Sequence, residues 1–117
     1  MLVLAKNANA LLMFLLELGV LFSVGYWGFT LSAGWAVKLL VGIGGPALFV
    51  AAWALFGAGG GKNATYPLTG LARAALEILW FGGGALALYA SGLAASAAVF
   101  YGLFIVNAVL RIVWNEV

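Results

Sequence analysis

The sequence predicts an all-α integral membrane protein: a four-helix bundle made of two transmembrane helical hairpins, in a single domain over residues 1–117. Three observations carry that reading. Hydrophobic residues make up 67% of the chain and charged ones 7%, whereas soluble domains hold roughly 45–50% and about 25%. A chain this short has too much surface for its core to hide that excess, so lipid must cover the outside. Apolar runs near the roughly 20 residues that cross about 30 Å of hydrocarbon recur four times. These runs are continuous and do not alternate, which favours helices over barrel strands, because backbone groups in lipid must be satisfied within the segment.

The first span is expected over 8–31. It carries Glu17 in its middle and ends in Tyr26-Trp27-Gly28-Phe29 rather than at a small-residue cleavage site, so it reads as a span and not a signal peptide. Ser32-Ala33-Gly34 makes a short turn into the second span, 35–57, where Pro46 should kink the helix by removing one backbone donor. Residues 58–67 form the one flexible linker, Gly-rich and ending in Pro67, which suits a helix first turn. The third span follows over 68–90, Ser91-Gly92 turns the chain, and the fourth covers 94–114. Gly42-Ile43-Gly44-Gly45 and Gly82-Gly83-Gly84 are expected to let helix backbones approach closely. Tyr26, Trp27, Trp35, Tyr66 and Tyr89 fall at the expected interfaces as belt anchors.

Basic residues set the orientation. Lys6, Lys62, Arg73 and Arg111 lie on the side of the termini and the linker, and Lys38 on the other. The excess of lysine and arginine on the cytoplasmic side places both termini and the linker inside. Asn63-Ala64-Thr65 matches a glycosylation sequon but falls in this cytoplasmic linker. Aligning Glu17 with Glu77 also pairs Leu11 with Leu71, Leu16 with Leu76 and Phe29 with Tyr89, a weak internal repeat of two hairpins. Hairpins with an even number of spans share one orientation, about an axis along the membrane normal.

A carboxylate at membrane depth is costly unless paired, protonated or facing a wet cavity, so the two glutamates mark where polar chemistry lies. At 1.5 Å of rise per residue, Glu17, Arg73, Glu77, Asn107 and Arg111 all fall in the cytoplasmic half, within roughly 10 Å in depth. Arg73, Glu77, Phe81, Gly84 and Leu88 share one helix face with Gly70; Phe100, Phe104, Asn107, Arg111 and Trp114 share another. The Glu17 face is expected to run through Ala10, Phe14, Leu21, Val24 and Gly28. These five polar residues are the candidates for a ligand- or proton-binding cluster. Trp53, Trp80, Phe104 and Trp114, near the same level, are candidates to line a pocket. The same charges, two of each sign, also suit a purely structural lock between helices.

Cysteine and histidine are both absent. That removes disulfides, thiol chemistry and histidine acid–base catalysis, and with them the usual metal-ligand sets. No metal, cofactor or enzymatic activity is expected. A net charge of +2 gives no nucleic-acid footprint. The expected partners are the lipid bilayer and a second copy of the chain, because four short helices enclose little volume and most oligomers are two-fold symmetric.

The stretches LLELGVLFSVGYWGF (15–29), GGPALFVAAWALFG (44–57), LARAALEILWFGGGALALYASG (71–92) and FIVNAVLRIVWNE (104–116) resemble the YrdB-like family of small bacterial four-span membrane proteins. The resemblance implies a bacterial inner-membrane protein and brings no activity, the family being a domain of unknown function. The small multidrug resistance exporters are similar in size and layout, with a glutamate in span one. This chain departs from them in its second glutamate and its intramembrane arginines. Two functions remain on these residues: a transport or permeation protein in which the glutamates titrate or bind a cation, and a non-catalytic scaffold or accessory subunit.

Overall fold

The computed structural model describes residues 1–57 and 64–114, so most of the predicted linker, with Lys62 and Asn63, lies outside the described residues. Among those described, the chain forms four α-helices: α1 (Leu2–Thr30), α2 (Trp35–Phe56), α3 (Gly70–Ala90) and α4 (Ala94–Val113). All four are long and apolar enough to cross a membrane. They pack as two hairpins, with α1 against α2 and α3 against α4, and this is a multi-pass membrane protein.

Two boundaries differ from expectation. α1 starts at Leu2, well before residue 8. Lys6 and Asn7 look like a helix boundary, but the helix continues through them because Asn9, one turn on, is buried and hydrogen-bonded to α4. α3 starts at Gly70, and Pro67 precedes its N-cap Thr69 rather than sitting in its first turn. Here the chain before α3 serves the end of α2. The Thr65, Tyr66 and Leu68 amides donate to the carbonyls of Ala54, Leu55 and Phe56, at 3.2, 2.6 and 3.3 Å. Together with the Gly57 amide on the Trp53 carbonyl, they satisfy the last-turn acceptors that a helix otherwise leaves open.

α1 and α3, the matching helices of the two hairpins, form the inner pair and are far more buried than α2 and α4. They meet where Gly84 lies against Val20: a Cβ on Gly84 would stand 3.1 Å from the Val20 Cα. α1 and α2 come closer still at Gly28, whose Cβ would lie 2.5 Å from the Gly42 nitrogen. Only glycine lets backbones touch in this way, and without a hydrophobic force between helices in lipid such close packing is what holds them.

The core along α1 is Asn9, Met13, Leu16, Val20, Val24 and Gly28. This corrects the first half of the expected Glu17 face: Val24 and Gly28 are buried as expected, but Ala10 and Phe14 are exposed, and Glu17 sits half-buried at the edge of the stripe. The expected face was phased on the carboxylate, whereas burial follows the branched apolar residues one position earlier. On α3 the buried face holds Arg73, Glu77, Phe81, Gly84 and Leu88 as expected, with Gly70 exposed. On α4 it holds Ala97, Phe104 and Asn107.

Candidate functional site

Glu77 is the centre of the polar cluster. It lies two turns into α3, with its side chain 6% exposed. Arg73, one turn earlier on the same face, donates from Nε to Glu77 Oε2 at 2.6 Å. Arg111 of α4 reaches across with a fork: its Nη1 donates to Oε2 at 3.0 Å and its Nη2 donates to Oε1. One carboxylate thus holds two guanidinium groups, Arg111 in the planar bidentate geometry that arginine favours and Arg73 through a single bond.

The network continues through all four helices. Arg111 Nε donates to Asn107 Oδ1 at 2.9 Å. The Asn107 amide nitrogen donates to the Asn9 carbonyl at 2.8 Å and to its Oδ1 at 3.0 Å, and Asn9 returns a bond to the Asn107 carbonyl at 3.2 Å. At the other end Arg73 Nη1 donates to the Gly57 carbonyl at 2.9 Å, placing a positive charge at the C-terminus of α2 where the helix dipole favours it. α1, α4, α3 and α2 are therefore tied in that order by side-chain hydrogen bonds.

The sum of charges is informative. With Glu77 ionised, the Arg73–Glu77–Arg111 triad carries one net positive charge. Among the described residues Glu17 supplies the remaining counter-charge, within Coulombic reach of both arginines. Its surroundings differ from those of Glu77. It accepts no hydrogen bond among the described residues, although the Trp53 indole N–H lies beside it without reaching hydrogen-bond geometry. Arg73 Nη2 is likewise buried with no partner among the described residues, and the Arg73 guanidinium stands over the Trp53 ring at 5.0 Å. The structure thus brings Arg73, Glu77, Asn107 and Arg111 into direct contact and leaves Glu17 beside them.

Of the aromatic candidates, Trp53 and Trp80 do not line the cavity between α3 and α4 that the arginines border. They stack on each other at 4.1 Å and 16°, and Trp80 donates to the Phe49 carbonyl at 3.0 Å. Such aromatic pairs add roughly 0.5–1.5 kcal/mol beyond area burial. Phe104 stacks on Phe81 at 4.5 Å and lines a cavity of about 520 Å³ between α3 and α4, together with Arg73, Glu77 and Arg111. Trp114 caps α4 and does not line that cavity. Asn9 was not a sequence candidate. The available signal was its place on the stripe with Met13, Leu16 and Val20, which puts it on the core face. No three groups able to hold a metal ion come together among the described residues.

Residues 11–105 match a protein family of unknown function, DUF2568. The chain belongs to that family. The matched segment includes Glu17, Trp53, Arg73, Glu77 and Phe104; Asn9, Asn107 and Arg111 lie outside it. No curated protein and no solved structure compared with the chain matches it.

Proposed function

We propose that this protein is a small transport or permeation protein in which Glu17 is the exchangeable proton or cation site and the Arg73–Glu77–Arg111 triad is its fixed counter-charge. One observation carries this: of the two intramembrane glutamates, Glu77 accepts from three N–H donors of two arginines, whereas Glu17 is half-buried and accepts none among the described residues. The sequence expectation that both glutamates titrate is narrowed accordingly. A carboxylate without a committed partner can bind and release a proton or cation, while one clamped by two arginines stays a charge. Glu17 also neutralises the net positive triad when ionised, which couples its occupancy to the charge of the bundle core.

The test is flux of protons and monovalent cations in proteoliposomes under an imposed pH gradient. Glu17→Gln should remove any pH-dependent flux while leaving the helix content of the protein unchanged and lowering its thermal stability less than Glu77→Gln does. Equal flux through the wild type and Glu17→Gln would sink the reading.

The second reading, a non-catalytic scaffold or accessory subunit, is favoured by the network itself, since side-chain bonds joining all four helices are what a register lock requires. On this reading Glu17→Gln is silent in every flux assay, and loss of the protein is felt only through a partner. The setting proposed for either role is the bacterial inner membrane, supported by the resemblance to the YrdB-like proteins. Both termini are proposed to be cytoplasmic, from the basic-residue bias, and the assembly to be a homodimer. Neither role involves enzymatic chemistry.

A further inference from the structure

The cavity between α3 and α4 has two properties that the Glu17 reading does not use. Its end at Gly70 is lined by Arg73 and Arg111 with the Glu77 carboxylate they share, and the rest of its wall is mostly apolar, through Ile78, Phe104, Ile105 and Ile112, with Tyr101. At about 520 Å³ it lies within the roughly 300–1,000 Å³ of ligand pockets. A second depression, of about 690 Å³, continues along the same two helices toward Tyr89 and Ala94 and shares Ile78 and Tyr101 with the first. Together they form one track running from the arginines along the membrane-facing side of the hairpin.

The basic end has spare capacity. Each guanidinium offers five N–H donors. Arg73 uses two of them, with Nη2 left without a partner among the described residues, and Arg111 uses three. Unused guanidinium donors favour a charged acceptor such as a carboxylate, and the track beyond them suits a hydrocarbon chain. The arginine side chains are only 8% and 11% exposed, so the head that reaches them must be small.

We infer that the α3–α4 groove binds a single-chain carboxylate amphiphile, its head at Arg111 and Arg73 and its chain along Ile78, Tyr101 and Ile105. The site does not depend on Glu17, so it stands or falls separately from the proton- or cation-exchange reading.

The experiment uses the full chain in phosphatidylcholine nanodiscs and a fatty acid with a photoreactive group near its tail. After illumination, mass spectrometry should place the adducts on residues 74–86 and 97–109. Unlabelled palmitate should compete roughly 10-fold or more better than the alcohol of the same chain, because only the carboxylate forms charge-assisted hydrogen bonds with the guanidinium groups. Arg111→Gln should abolish that preference. Since this variant also disturbs the triad, Ile105→Trp provides an independent arm: Ile105 is half exposed on the groove wall, and a bulky ring there should block capture without touching the network. Glu17→Gln should retain capture. Equal competition by the alcohol, adducts spread over α2, normal capture by Ile105→Trp, or stronger competition by phosphatidylglycerol than by palmitate would each overturn the inference. So would cross-linking that shows a second copy of the chain seated in the groove.

Discussion

At Glu77 three N–H donors from two arginines converge on one carboxylate inside the bundle, so removing that charge leaves two guanidinium groups facing each other. Taking one partner out of a buried ion pair costs roughly 3–5 kcal/mol, because the remaining charge has lost its solvent and its counter-ion together. Glu77→Gln should therefore destabilise the protein by about that amount in detergent denaturation titrations. Glu77→Gln combined with Arg111→Gln should recover most of the loss: the double variant keeps one positive charge, Arg73, opposite one negative charge, Glu17. A double variant as unstable as the single one would show that the arginine fork matters more to stability than charge balance does. Glu17→Gln removes a carboxylate that accepts no hydrogen bond among the described residues, so its effect on stability should be the smallest of the three. This contrast between the two glutamates was not visible in the sequence, where both follow a leucine in an apolar run. The difference arises from helix rotation. Glu77 lies on the core stripe with Phe81 and Gly84, while Glu17 sits one position past Leu16, at the stripe's edge.

Close backbone contact decides which glycines matter to the helices. Gly28 meets Gly42 with no room for a methyl group, whereas the space around Gly44 is open. Gly28→Ala should force α1 and α2 apart and cost roughly 1–3 kcal/mol, the usual range for overpacking. Gly44→Ala should be neutral or slightly stabilising, since alanine is the better helix former. Thermal unfolding of both variants in one detergent checks the pair, and equal behaviour would refute the contact. The glycine clusters were legible in the sequence as packing surfaces, and the four spans were legible from run length and hydropathy. Which glycine in each cluster makes contact was not, because that depends on crossing points set by tertiary structure. The start of α1 was misplaced for a related reason. Lys6-Asn7 carries the composition of an interface, and only the Asn9–Asn107 pairing, across 98 positions of sequence, shows why the helix continues inward.

For the whole molecule, the turn 31–34 between α1 and α2 and the Ser91-Gly92 turn fall at one end of the bundle, with residues 64–69, the start of α1 and the end of α4 at the other. Two of the four basic residues that set the predicted orientation, Arg73 and Arg111, are paired with Glu77 in the folded protein. Pairing does not cancel their topological weight, because orientation follows lysine and arginine near span ends rather than net charge, and acidic residues contribute little. Their end of the bundle also receives Lys6, while the opposite end has, among the described residues, only Lys38, whose amine stands over the Trp35 ring at 5.1 Å. The expected orientation therefore has residues 64–69 in the cytoplasm and both hairpin turns outside. The chain has no cysteine of its own, so single-cysteine variants report without background. Ser32 and Thr65 are both exposed and sit at opposite ends. In intact cells a membrane-impermeant thiol reagent should label Ser32→Cys at once, and Thr65→Cys only after the membrane is permeabilised. The reverse pattern would invert the protein in the membrane and put the arginine end of the α3–α4 groove in the outer leaflet. Labelling of both variants from outside would mean that the two hairpins do not cross as a pair of complete spans.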